Sequence, residues 1–256
     1  MAYESFIDYF VAVERGIPSI TTVHKFGKQT SLSTTSQLIW SRNTAYTYLA
    51  SSSSLIIASD RDTDQTSGAT GAFTVEVQGV NQNFSLTTET VTLKGFTGVT
   101  TTNDFRRVFR AKVLTAGTNG YNNGRITMLP DVAANTFTAA GVPTSTANVI
   151  CQVDSTTNQT LFAGYTVPDG RTAYVTDINM STHISKNVLI DMYVRDKGGI
   201  FNIKNSYVLN NSSLVINHKI PSKFSAGSDI EFRAKSSSTA GQVSLAFDLM
   251  VVQGNE

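Results

Sequence analysis

Cysteine is almost missing from this chain of 256 residues. Cys151 stands alone, so no intrachain disulfide can form, and its setting Val149-Ile150-Cys151-Gln152-Val153 reads as a small buried side chain in a strand. Charge is scarce as well. Asp, Glu, Lys and Arg make up 15% of the residues, and 20 basic against 19 acidic groups leave a formal net charge of +1. A balance of this kind supplies no global electrostatic drive toward nucleic acid or anionic lipid, so neither a direct nucleic-acid partner nor a membrane is expected. No apolar run approaches the roughly 18 residues that would cross a bilayer. The first ten residues carry Glu4 and Asp8 where a signal peptide would carry Lys or Arg, which points to synthesis in a cytoplasm and to exit only as part of an assembly.

Histidine is equally thin. His24, His183 and His218 have no second ligand at metal spacing and read as surface or hydrogen-bonded residues, and no cofactor is expected. Asp60-Arg61-Asp62-Thr63-Asp64 resembles the opening of a calcium loop, but Gln65 stands where the turn needs glycine and Gly71 where a bidentate acid is needed. A polar loop between strands is the better reading. Gly68-Ala69-Thr70-Gly71 opens a strand rather than a helix and so lacks the helix N-terminus that cradles phosphate. Among about 60 serines and threonines, roughly a quarter of the chain, no nucleophile, base and orienting acid can be picked out, so no enzyme activity is expected.

What the chain has in quantity is period-two alternation with β-branched and aromatic residues. It runs through 73–77, 84–86, 90–93, 105–114, 174–178, 188–194, 214–220, 230–234 and 243–252. Turn signals separate these runs, among them Asn119-Gly120, Asn123-Gly124, Pro168-Asp169-Gly170, Lys197-Gly198-Gly199 and Gly227. Short strands at this spacing predict an all-β protein of antiparallel, jelly-roll-like β-sandwiches. Helical spacing is confined to Ser5–Glu14, where Phe6, Phe10 and Val13 recur. Residues 1–36 read as an extended N-terminal arm. Residues 37–146 read as a first β-sandwich domain and 147–256 as a second, divided near the Ala-, Thr- and Gly-rich stretch 136–148.

Two groups of residues stand out as contact candidates. Tyr3, Phe6, Tyr9, Phe10, Lys25 and Phe26 of the arm, followed by Trp40, are costly to expose; core staples and interface anchors are both open readings of the aromatic ones. The densest charge is Arg106-Arg107-Val108-Phe109-Arg110-Ala111-Lys112. On a strand it would place Phe105, Arg107, Phe109 and Ala111 on one face and Arg106, Val108, Arg110 and Lys112 on the other. Arg106, Arg107, Arg110 and Lys112 read as a solvated or subunit-facing edge, an interface in which Arg forks meet carboxylates of a neighbour being favoured over nucleic acid.

The run Ser19 to Gly27 with Lys25-Phe26-Gly27, then Ile39-Trp40, Leu55–Ser59, Asp60–Gly71, Phe73–Gly79, Thr88–Gly95, Phe105–Arg110 and Ala116–Ile126, resembles a family of virion structural proteins of tailed bacteriophages found among marine and cyanobacterial phages. Tyr165 to Tyr174 is similar to that family's linker strand, with Asp169 where alanine is usual. The resemblance implies a non-enzymatic virion protein, and brings no catalytic residues. Within that class the arm and near-neutral surface favour capsid decoration or cement. A tail, baseplate or fibre-attachment protein, or a receptor- or glycan-binding appendage module, is the alternative. The expected partners are copies of itself in a homo-oligomer such as a trimer, and the major capsid protein or other virion proteins.

Overall fold

A computed structural model describes residues 20–42, 44–66, 70–182 and 186–253. The helical candidate Ser5–Glu14 and the contact candidates Tyr3, Phe6, Tyr9 and Phe10 lie outside them. Among the described residues there is no helix, and sixteen strands follow in chain order. They are β1 (Ile20–Leu32), β2 (Gln37–Leu38), β3 (Leu55–Ser59), β4 (Ala72–Val80), β5 (Leu86–Thr92), β6 (Val99–Thr100), β7 (Arg107–Ala116) and β8 (Ile126–Pro130). After them come β9 (Cys151–Val153), β10 (Gly164–Thr166), β11 (Arg171–Ser181), β12 (Asn187–Arg195), β13 (Asn202–Asn210), β14 (Ser213–Phe224), β15 (Asp229–Ser236) and β16 (Gly241–Gln253).

All pairings are antiparallel. Four sheets result, ordered β1-β16-β11-β14, β10-β15-β12-β13 with β2 on β15, β6-β3-β8-β9 and β5-β4-β7. The first two share one buried cluster. β16 shows why: Val243, Leu245, Phe247, Leu249 and Val251 alternate inward with polar residues between them, and Phe247 meets Phe232 of β15 at 5.0 Å between ring centres. The other two sheets enclose a second cluster built on Leu55, Ile57, Val75, Val77, Phe105, Met128 and Ile150.

The partition along the chain differs from the expected one. Residues 20–32, grouped with the arm, are a thirteen-residue strand paired along β16 from Ile20↔Val252 to Leu32↔Gly241. Cys151 and its neighbours, assigned beyond the 146/147 division, pair with β8 instead. The first cluster thus gathers residues 32–46 together with 162–251, joined by Val80, Phe84 and Phe109, and the strands that build the second lie between them in sequence. Pairing of the first strand with the last leaves no trace in local periodicity, so a linear division misses it.

β1 is hard to see because its inward face is largely not apolar: Lys25, Gly27 and Gln29 are buried, and Leu32 at its end is its one buried apolar side chain. Gly27 is required there, since a Cβ would stand 2.5 Å from the Ala163 Cβ and from the Ile39 carbonyl oxygen. Gln29 is satisfied locally. Its amide donates to the Arg42 carbonyl at 2.8 Å and accepts from the Ser31 amide at 3.0 Å.

Candidate functional site

The basic strip lies at the seam between the two clusters. β7 pairs with β4 through Gln78↔Arg110 and Gly79↔Val108, so Phe109 is an extra, bulged residue. The bulge breaks the expected alternation. Phe105, Val108 and Ala111 face one cluster while Phe109 turns to the other, where its ring meets Tyr165 at 4.8 Å. Tyr46 closes the edge of this kink, its hydroxyl donating to the Val108 carbonyl at 3.1 Å and accepting from the Val108 amide at 3.0 Å. Tyr46→Phe strands both backbone groups, and a loss of about 1–3 kcal/mol in urea unfolding is expected.

The strip was expected to face a neighbouring subunit; much of it is committed within the chain. Arg107 is buried, with Nε 3.3 Å from Asp229 and Nη1 donating to the Leu49 carbonyl at 2.8 Å. Arg110 donates to the His24 carbonyl, and Lys112 forms an ion pair with Glu76 at 3.0 Å. Arg106 lies 4.8 Å from the Phe84 ring centre, with one long bond from Nη1 to the Gln82 carbonyl. The reason is the bulge, which turns Arg107 and Phe109 into the seam.

Two further candidates are also internal. Trp40 is buried among Tyr46 and Phe162, and its indole N–H donates to the Thr44 carbonyl at 2.7 Å. Lys25, 2% exposed, donates from Nζ to the Phe109 carbonyl and lies 5.5 Å from the Phe162 ring centre and 5.7 Å from that of Phe109. Burial, with the Arg110 guanidinium adding to it, lowers the Lys25 ammonium to about 7. Phe26, next to it in sequence, points the other way and is half-buried.

A second cluster of charge escaped the sequence reading. Asp229, buried at the start of β15, accepts from Arg107, Arg195 and the Thr166 hydroxyl, the last at 2.7 Å. Tyr48 lies between the two guanidiniums, 4.8 Å from that of Arg107 and 4.2 Å from that of Arg195, and its hydroxyl donates to Glu231. Arg195 and Arg233 also face Phe201, at 4.4 and 5.0 Å. These residues come from positions 48, 107, 166, 195, 201, 229, 231 and 233, and no local spacing could have joined them all.

The calcium-like loop has another use. Asp64 is fully buried, and its carboxylate accepts from the Ser59 hydroxyl at 2.6 Å and from the amides of Ala72, Asn123 and Gly124 at 2.8 Å each. Among the described residues no three His, Cys, Asp or Glu side chains converge as metal ligands. His24 is exposed, with Nδ1 2.5 Å from Asp248 Oδ1. His218 is half-buried on β14 with its Nε2 shielded and without a partner, and His183 lies outside the described residues. Burial pushes the Cys151 thiol up to about 12, so at neutral pH it offers no thiolate.

Five of the ten exposed large apolar side chains among the described residues lie on two edge strands and the turn before one of them. Ile200, Ile203 and Val208 lie on or just before β13, and Val215 and Ile220 on β14; Ile220 is 87% exposed. Each strand has one partner only, β12 for β13 and β11 for β14, so each presents an unpaired backbone edge. Between Asn217 and Ser222, β14 leaves the register of β11, and Ile220 sits in that irregular stretch.

No protein-family model and no curated protein matches the sequence. Solved structures that align include that of infectious bursal disease virus Gx strain, 10% identical over 93% of this chain and 73% of that one, with a TM-score of 0.24. The crystal structure of the infectious bursal disease virus VP2 subviral particle aligns at 12% identity over 98% and 79%, with a TM-score of 0.20. At scores of this size the likeness carries no argument about fold or function.

Proposed function

We propose that the chain is a non-enzymatic structural protein of a virion, and within that class a capsid decoration or cement protein that binds copies of itself and neighbouring virion subunits. The observation that carries this reading is strand order. Counted along β1 and β10–β16, the two sheets run first, eighth, third, sixth and second, seventh, fourth, fifth. That is the order of a jelly roll, two Greek keys folded into a sandwich, an arrangement used by viral capsid and lectin domains. On this reading β3–β9 form a second β unit inserted between the first and second strands of the jelly roll.

A fold alone does not fix a role. The free edges supply the rest of the argument. A long edge strand with exposed isoleucine and valine invites pairing with another chain, and a protein that stays monomeric protects such an edge. Here β13 and β14 present Ile203, Val208, Val215 and Ile220 beside two unpaired edges, which supports a subunit that meets other subunits through them. The phage resemblance of Lys25-Phe26-Gly27 and Ile39-Trp40 points the same way.

Cryo-electron microscopy of the particle tests the proposal. Dozens to hundreds of copies on the shell are expected, with β13 or β14 at the contact. A few copies confined to the tail would move the role to tail or baseplate, and absence from mature particles would overturn the virion assignment.

A further inference from the structure

We infer that the cavity between the start of β7, the turn after β12 and the turn before β15 is a binding site for an oxyanion, the phosphate or carboxylate group of a ligand. The cavity holds about 320 Å³. Four cationic side chains line it, Arg106, Arg107, Arg195 and Lys197, and the one carboxylate among its lining residues is Asp229. Asp229 is already shared between Arg107 and Arg195, so one negative charge answers two guanidiniums. The other two cations have no carboxylate within ion-pair distance among the described residues. Arg106 and Lys197 both lie against Phe84, at 4.8 and 5.0 Å from its ring centre, and the Nε of Arg106 is shielded from solvent without a hydrogen-bond partner.

Holding four cations against a single carboxylate around one concavity is unfavourable unless a further counter-charge enters, and a guanidinium N–H left unpaired in a shielded place is the kind of donor that an oxyanion satisfies. The local backbone is arranged around the lysine. A Cβ on Gly227 would stand 2.9–3.1 Å from the Lys197 side chain, so only glycine there, at a φ of +76°, leaves the lysine stem room to lie along the turn. The site uses the first residue of the basic strip and the Lys197-Gly198-Gly199 turn, neither of which the proposed assembly edges employ. The inference therefore stands or falls apart from the virion reading.

Pyrophosphate is the probe. Titrated into the full-length chain by isothermal calorimetry at fixed ionic strength, it is expected to bind saturably with one site per chain and to weaken as salt is raised. Arg106→Gln and Lys197→Gln are each expected to weaken binding about tenfold, since a charge-assisted hydrogen bond contributes at least that much. Lys204→Gln, on exposed β13, is expected to leave binding unchanged. Lys197 is exposed on a turn, so its variant tests the site even where loss of the Arg106 stack on Phe84 lowers stability. Light scattering during the titration separates the sources of the anion. A fall in mass means that pyrophosphate displaces a carboxylate of a second copy, and an unchanged mass means that the site takes a free ion. Absence of saturable binding, or equal binding by the native chain and Lys197→Gln, would overturn the inference.

Discussion

Lys25→Met is expected to raise the melting temperature below pH 7 and to flatten the rise in stability that the native chain shows as pH climbs from about 7 toward 10.5. In the unfolded chain the ammonium has its ordinary value of 10.5, whereas in the fold burial lowers it to about 7. Between those values the unfolded state binds more protons than the folded one, so stability increases with pH across that window. Below about 7 the ammonium is charged in both states, and the fold bears the whole cost of keeping it dry. The drop from 10.5 to about 7 corresponds to on the order of 4–5 kcal/mol as an upper bound. Methionine has similar length and no charge, so it removes this cost. It also strands the Phe109 carbonyl, which loses its Nζ donor, at about 1–3 kcal/mol. The net gain below pH 7 is about 2 kcal/mol, and it reverses above about pH 9, where the native lysine is neutral and still hydrogen-bonded. Arg110 and Cys151 are the other ionisable groups acting on Lys25, and both remain in the variant. Thermal unfolding of both proteins from pH 5.5 to 9.5 gives the difference curve. Parallel profiles would show that Lys25 is not the source of the pH dependence.

Lys25 also shows where the sequence is legible and where it is not. β16 could be read directly, because every second residue from Val243 to Val251 is apolar and inward. The same holds for the inward apolar residues of β12 and β15, although Asp191, Asp229 and Glu231 on these strands are buried as well. β1 carries most of its inward positions on Lys25, Gly27 and Gln29, with Leu32 its one buried apolar side chain, so pattern reading takes an edge strand of the first sheet for an arm. β13 was missed for the opposite reason: Ile203 and Val208 face outward, and the run 202–210 has no clean apolar face. At β7 the composition of the strip was legible, but the bulge at Phe109 was not, and the bulge decides which residues enter the seam. The cluster of Tyr48, Arg107, Arg195 and Asp229 depends wholly on tertiary pairing. It joins a loop residue, the seam strand and two neighbouring strands of a sheet whose register only the fold sets.

The loop Asp60–Asp64 reads from sequence as a polar connection between strands, whereas Asp64 is a buried structural anchor, and Asp64→Ala is expected to be one of the most damaging single changes in the chain. The Asp64 carboxylate replaces water for three backbone amides and one hydroxyl drawn from three separate segments: Ser59 at the end of β3, Ala72 at the start of β4, and Asn123 with Gly124 before β8. Alanine leaves these donors buried and facing one another. Each stranded donor costs about 1–3 kcal/mol, and water entering the vacated space relieves part of the total, so a loss of about 3–5 kcal/mol is expected in urea unfolding. Asp64→Asn keeps the shape but aims an NH₂ group at N–H donors, so it recovers only part of that loss. The damage should be local before it is global. Hydrogen exchange of the Ala72, Asn123 and Gly124 amides is expected to accelerate in Asp64→Ala beyond the change in overall stability, because those amides lose their acceptor. Asp62→Ala, at an exposed position, is the comparison and is expected to stay within about 0.5 kcal/mol of the native chain. Because both carboxylate oxygens already accept hydrogen bonds from the protein, millimolar calcium is expected to leave the melting temperature unchanged. A calcium-dependent rise that Asp64→Ala abolishes would return the loop to its metal reading. A loss below about 1 kcal/mol would mean that water serves these amides as well as the carboxylate does.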